Sequence, residues 1–140
     1  MAAFAKYQCF VENLAEKVHN LGSDSLKVAL TNSAPAVTDT VWSTGVYPAP
    51  SAVNGYTAGG NAITITSSVQ TTGTYKLILV DSVFTATAGG IGPFRYAILY
   101  NTTASNALIG SYDYGSSITL ASTETFTVDF DGSAGVLTLV

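Results

Sequence analysis

Thr125-Phe-Thr-Val-Asp-Phe-Asp131 alternates without exception, with Phe126, Val128 and Phe130 at one parity and Thr127, Asp129 and Asp131 at the other. Successive side chains on a strand point to opposite faces, so the stretch predicts a strand with one covered and one solvated face. Antiparallel sheets carry that pattern, whereas all-parallel sheets are buried on both sides. Working outward, Ala62–Val69, Gly73–Thr85, Phe94–Tyr100, Ala107–Tyr114, Ser117–Leu120, Thr123–Phe130 and Gly135–Val140 also read as strands. Turn residues separate them at Thr71-Thr-Gly73, Gly89–Pro93, Asn101–Thr103, Tyr114-Gly115 and Asp131-Gly132. Short strands at such spacing predict an all-β fold, a β-sandwich or jelly-roll-like barrel. Tyr75–Val80 is apolar at both parities and is expected to lie centrally, covered on both sides or packed against a neighbouring subunit.

Toward the N-terminus the period changes. Phe10, Val11, Leu14, Val18 and Leu21 recur at helical spacing and Gly22 supplies a stop, so one short N-terminal helix is expected over Phe10–Leu21. Ser25–Asn32 alternates as a strand with Leu26, Val28 and Leu30 on one face. Ser33–Gly60 holds Pro35, Pro48, Pro50, Gly45, Gly55, Gly59 and Gly60, which break ladders, and is expected to be a long irregular excursion with one short strand near Thr40–Trp42. The chain thus reads as a single β domain, 1–140, with an arm and helix over 1–24 and the excursion over 33–60. Loops of that length in small domains usually serve function or assembly. Phe4, Tyr7, Phe10, Leu14, Val18, Trp42 and Tyr47 are therefore the candidate assembly contacts.

Composition narrows the function classes. A chain of 140 residues can bury a core without disulfides. Only 10% of it is charged, and 19 Thr and 14 Ser supply the polar surface that pleated sheet accommodates. Low charge reduces repulsion between copies and so permits dense assembly. After residue 30 the only cations are Lys76 and Arg95, against Asp39, Asp81, Asp113, Glu124, Asp129 and Asp131. Two isolated cations cannot release enough counterions to hold a nucleic-acid backbone. No apolar run approaches the roughly 20 residues of a spanning helix, and the N-terminus lacks a secretory signal, so the expectation is a soluble protein made in the cytoplasm, with no membrane partner.

Little chemistry is available. His19 is the sole histidine and Cys9 the sole cysteine, ten residues apart on one local element, which gives no reason to expect a nucleophile–base pair. Asp129 and Asp131 beside Gly132 suggest a weak calcium loop, but the further oxygen ligands and distal glutamate do not follow. Gly89-Gly-Ile-Gly-Pro93 lacks the Lys-Ser/Thr of a phosphate loop. Asp113, Glu124 and Asp129 carry no spacing that would fix a glycosidase pair. The expectation is a non-enzyme with no cofactor and no metal. Tyr96, Tyr100, Tyr112 and Tyr114, at matching parity on neighbouring strands, form a candidate platform for a glycan or a subunit contact, because amphipathic rings bury area at low entropy cost.

Several phrases carry a resemblance: Phe10–Asn32 (FVENLAEKVHNLGSDSLKVALTN), Asn54–Gly60 (NGYTAGG), Ile91–Asn101 (IGPFRYAILYN), Tyr114–Leu120 (YGSSITL) and Glu124–Asp131 (ETFTVDFD). Together they resemble small structural proteins of tailed bacteriophages. The resemblance implies a virion protein similar to capsid decoration, or cement, proteins: a homotrimer on the capsid surface whose partners are the major capsid protein and itself. The alternative it implies is a tail, neck or fibre component binding a host glycan through Tyr-rich loops.

Overall fold

The computed structural model describes residues 2–140. In chain order its elements are β1 (Phe4–Lys6), α1 (Gln8–Ala15), β2 (Leu26–Thr31), β3 (Ala52–Val53), β4 (Asn61–Ile63), β5 (Ile65–Thr71), β6 (Thr74–Leu79), β7 (Ser82–Thr85), β8 (Ile91–Asn101), β9 (Ala107–Leu120), β10 (Thr125–Val128) and β11 (Leu137–Leu139). The fold is all-β and sandwich-like, with one short helix.

The long hairpin β8–β9 is the axis of a large antiparallel sheet ordered β1-β9-β8-β2-β4, with β3 extending it against the start of β8. Against one face of this sheet pack the β7–β10 pair and the β5–β6–β11 sheet. Leu26, Val28, Leu30, Ala97 and Leu99 of the large sheet meet Leu77, Leu79, Phe84, Val128 and Phe130 there. Aromatic rings fill much of the gap: Phe94 lies edge-on to Phe126 at 4.9 Å, and Tyr112 faces Phe130 at 6.0 Å. The alternation of Thr125–Asp131 appears as expected, with Val128 and Phe130 buried, Phe126 half-buried and Thr127 and Asp129 exposed.

The opposite face of the large sheet is covered too. Ala29, Ile98, Tyr100 and Leu108 form a second cluster with Tyr7 and Tyr47, and Cys9, Trp42 and Tyr96 pack against it. The doubly covered strand is therefore β8, whose Ala97-Ile-Leu-Tyr100 is buried at every position. β6 is central only within its own three-stranded sheet, where Leu77 and Leu79 are buried and Lys76 and Ile78 half-exposed.

Four expectations need correction. The helix spans Gln8–Ala15 rather than Phe10–Leu21: Lys17, at φ 65°, turns the chain before Gly22. The turn beyond it returns Leu21 to the core, which reproduces the helical spacing without a helix, and leaves Val18 exposed. Ala62–Val69 and Gly73–Thr85 are each two strands that change sheets, at Thr64 and at Val80-Asp81. The two corners are tied together by Val80 N donating to Thr64 O at 2.9 Å. Gly115, at φ 84°, does not end a strand; Ala107–Leu120 runs continuously through it. The 33–60 segment is mostly irregular: the short strand expected near Thr40–Trp42 is a single bridge of Val41 to Ala107, and the segment's one strand is instead β3.

Candidate functional site

Before β3, proline and glycine deny the excursion a ladder, so its backbone groups find partners elsewhere. Val37 O accepts from Gln8 N at 3.0 Å, Thr40 O from Leu108 N at 3.1 Å, and Trp42 N donates to Asn106 O at 2.8 Å. Pro48 O accepts from the Thr31 hydroxyl at 2.8 Å. These bonds lay the segment across the Tyr100 face of the large sheet as a fastened irregular layer.

Within that layer, neighbouring residues divide between inside and outside. Trp42 stacks on Tyr100 with ring centroids 4.6 Å apart and planes 7° from parallel, while Val41 beside it faces out. Tyr47 is buried, while Val46 faces out. The Tyr47 hydroxyl donates to Asp39 Oδ2 and accepts from the Tyr7 hydroxyl at 3.1 Å, a buried chain joining the excursion to the arm before α1. Burial, then the Asp39 bond and the Tyr7 bond, push Tyr47 ionisation far above the usual phenol range, and burial also raises Tyr7. Both hydroxyls stay neutral and serve as donors. The outer surface of the layer carries Val37, Val41 and Val46, each 46–54% exposed.

The candidate assembly contacts accordingly separate into two groups. Tyr7, Phe10 and Tyr47 are 1–2% exposed and committed to the chain's own core, so they cannot also face a second molecule. The helical register put Phe10 inward correctly, but an aromatic in a Pro/Gly-rich loop gave no sign of its direction. Phe4 is half-buried; its ring lies directly over Gly110, where any Cβ would collide with it, and 5.4 Å from Tyr112. Leu14 and Trp42 are half-buried and Val18 is exposed.

The tyrosine platform does not form. Tyr112 stands opposite Ala97, on the face that meets β7 and β10, whereas Tyr96 and Tyr100 point to the face under the excursion. Register shifts between Phe94 and Tyr96 and between Leu99 and Tyr100 separate them. Burial raises Tyr100 and Tyr114 to about 12 each, and raises Tyr112 further. The Tyr100 hydroxyl donates to Gly59 O at 2.8 Å, and Tyr96, half-buried, has the Arg95 guanidinium 5.2 Å above its ring.

The residues weighed for catalysis are held in separate structural roles. The Cys9 thiol points to the carbonyls of Asp39, Thr40 and Leu108, whereas His19 sits against Phe10 and Asn101. Asp113 makes a bidentate pair with Arg95, at 2.7 and 2.9 Å, which holds its carboxyl below the usual range. Glu124 Oε2 accepts from Ala121 N. Asp131 Oδ1 accepts from Ala134 N, Ser133 N and the Ser133 hydroxyl, closing the turn after β10 and lowering the Asp131 pKa. Among the described residues no three His, Cys, Asp or Glu side chains are grouped to hold a metal, and no helix is long and apolar enough to cross a membrane.

The sequence reading missed the Tyr7–Tyr47–Asp39 chain and the burial of His19. Neither has a local signature, because the partners are separated by 40 and 82 residues. In comparisons with family models, curated proteins and solved structures, none matches this chain.

Proposed function

We propose that this chain is a structural protein of a phage virion, a head decoration protein that docks on the capsid exterior through its irregular layer. The observation that carries the reading is the division of the irregular layer: Trp42 and Tyr47 lock it inward while Val37, Val41 and Val46 face out. A flexible loop would lose entropy on docking; a fastened one presents apolar side chains already in place. The low charge of the chain and the phrases that resemble tailed-phage structural proteins fit the same role. The major capsid protein is the proposed partner, with self-association as a homotrimer around the docking site.

Reconstruction of the parent particle tests this directly. Hundreds of copies on the head exterior are expected. Absence from purified particles, or a few dozen copies confined to the tail, refutes it. Replacing Val37, Val41 and Val46 by Ser should abolish binding to capsid shells while the melt stays cooperative and unshifted; full binding by this variant moves the contact elsewhere.

A further inference from the structure

Between the end of α1 and the β5–β6–β11 sheet lies a cleft of about 530 Å3, within the roughly 300–1,000 Å3 range of small-ligand sites. Leu14, Leu21, Tyr75 and Leu139 give it apolar walls, and His19 and Lys17 supply nitrogen donors. His19 is only 4% exposed, and its proton position follows from its neighbours. Asn101 Oδ1 accepts from Ala104 N, and Asn101 Nδ2 donates to Asp24 Oδ2 at 2.6 Å. The amide orientation is thereby fixed, and the same Nδ2 faces His19 Nδ1 at 3.0 Å. Nδ1 must accept, so the proton of the neutral ring is on Nε2.

That Nε2–H is buried and has no hydrogen-bond partner among the described residues. An orphaned buried donor leaves its desolvation uncompensated, a cost that an acceptor brought by a ligand would recover. Lys17 is exposed at the cleft and forms no ion pair among the described residues. The one carboxylate acting on His19, Asp24, is occupied by Asn20 N and Asn101 Nδ2.

We propose that this cleft binds a small amphiphilic carboxylate, its alkyl chain against Leu14, Leu21 and Leu139 and its head group between Lys17 Nζ and His19 Nε2–H. Because Nε2 is shielded, binding turns a wall side chain aside, a rotamer change of the ordinary kind. The site is independent of the capsid-docking layer, which lies on the other side of the large sheet.

Sodium octanoate is the probe, and the ring resonances of His19, the only histidine, are the readout. Saturable shifts are expected, with octan-1-ol and acetate at least about tenfold weaker. Two variants block the site without straining the fold. Gly22→Leu projects into the mouth, where a Cβ meets only Asn20 Oδ1 at 3.6 Å and Ser68 Oγ at 3.7 Å. Lys17→Asn removes the cation and suits the positive φ there. Each should weaken octanoate about tenfold or more with an unchanged melt. Unmoved His19 signals at millimolar octanoate overturn the proposal. So does octan-1-ol binding as tightly as octanoate, or full affinity in both variants.

Discussion

Removing one oxygen atom from Tyr47 tests whether the irregular layer is fastened by the Tyr7–Tyr47–Asp39 chain. Tyr47→Phe deletes a donor to a carboxylate, a bond worth about 1.5–3 kcal/mol, and an acceptor for Tyr7, worth about 0.5–1.5 kcal/mol. The loss is less than the sum, because Asp39 is half-buried and its freed oxygen can take water, and Ser111 lies beside the Tyr7 hydroxyl. About 2 kcal/mol is expected, or a Tm drop of roughly 6–8 °C for a chain of this size. Tyr7→Phe removes only a neutral bond and should cost about 1 kcal/mol. Because the two share that bond, the double variant should be more stable than the sum of the single losses by about 0.5 kcal/mol or more. Urea unfolding followed by Trp42 fluorescence suits the assay, since the single tryptophan stacks on Tyr100 under the same layer. If Tyr47→Phe lies within about 0.5 kcal/mol of the parent, or the two losses add, the chain does not fasten the excursion.

Acid should weaken the fold through His19. Burial lowers its folded pKa, outweighing the opposing pull of Asp24, so the unfolded chain takes up the proton first, near pH 6.5. The contribution is full above that pH and is lost as pH falls through the folded pKa; the urea midpoint should drop between pH 7.5 and 5, and His19→Gln should flatten that slope, whereas an unchanged slope would assign the effect to other groups. Gly60→Ala should prevent stable folding, because Gly60 has φ 83° and its Cβ would collide with the carbonyl of Val28 in the large sheet. Gly132→Ala, in open space without a positive φ, should stay within about 0.5 kcal/mol by the same melt.

The parts of this fold legible in the sequence are those where one strand decides its own pattern. Phe126, Val128 and Phe130 needed only their own alternation. Relations between strands were not legible, because register shifts beside Tyr96 and Tyr100 are set by two partners at once and moved the tyrosines to opposite faces. A strand that bends into another sheet, as at Thr64, keeps an apolar row inward through the corner and so reads as one strand. Leu21 misled for a related reason: a turn delivered it to the core at the spacing a helix would have used. The candidate site was half legible, since the composition of 33–60 announced an irregular segment but not which of its side chains turn inward.

The position of β8 between β9 and β2 also orders events during synthesis. Its hairpin with β9 closes over a short turn, while its pairing with β2 must close roughly 60 intervening residues, each doubling of loop length adding about 0.6 kcal/mol. β2 leaves the ribosome first, with Leu26, Val28 and Leu30 on one face, and waits for both partners to be translated. At about 5–20 residues per second that wait is roughly 4–14 s, during which Leu26–Thr31 is an open template for any other nascent strand. The interval makes yield depend on translation speed and on holding chaperones, through a segment that is buried at every position but Lys27 once folding is complete.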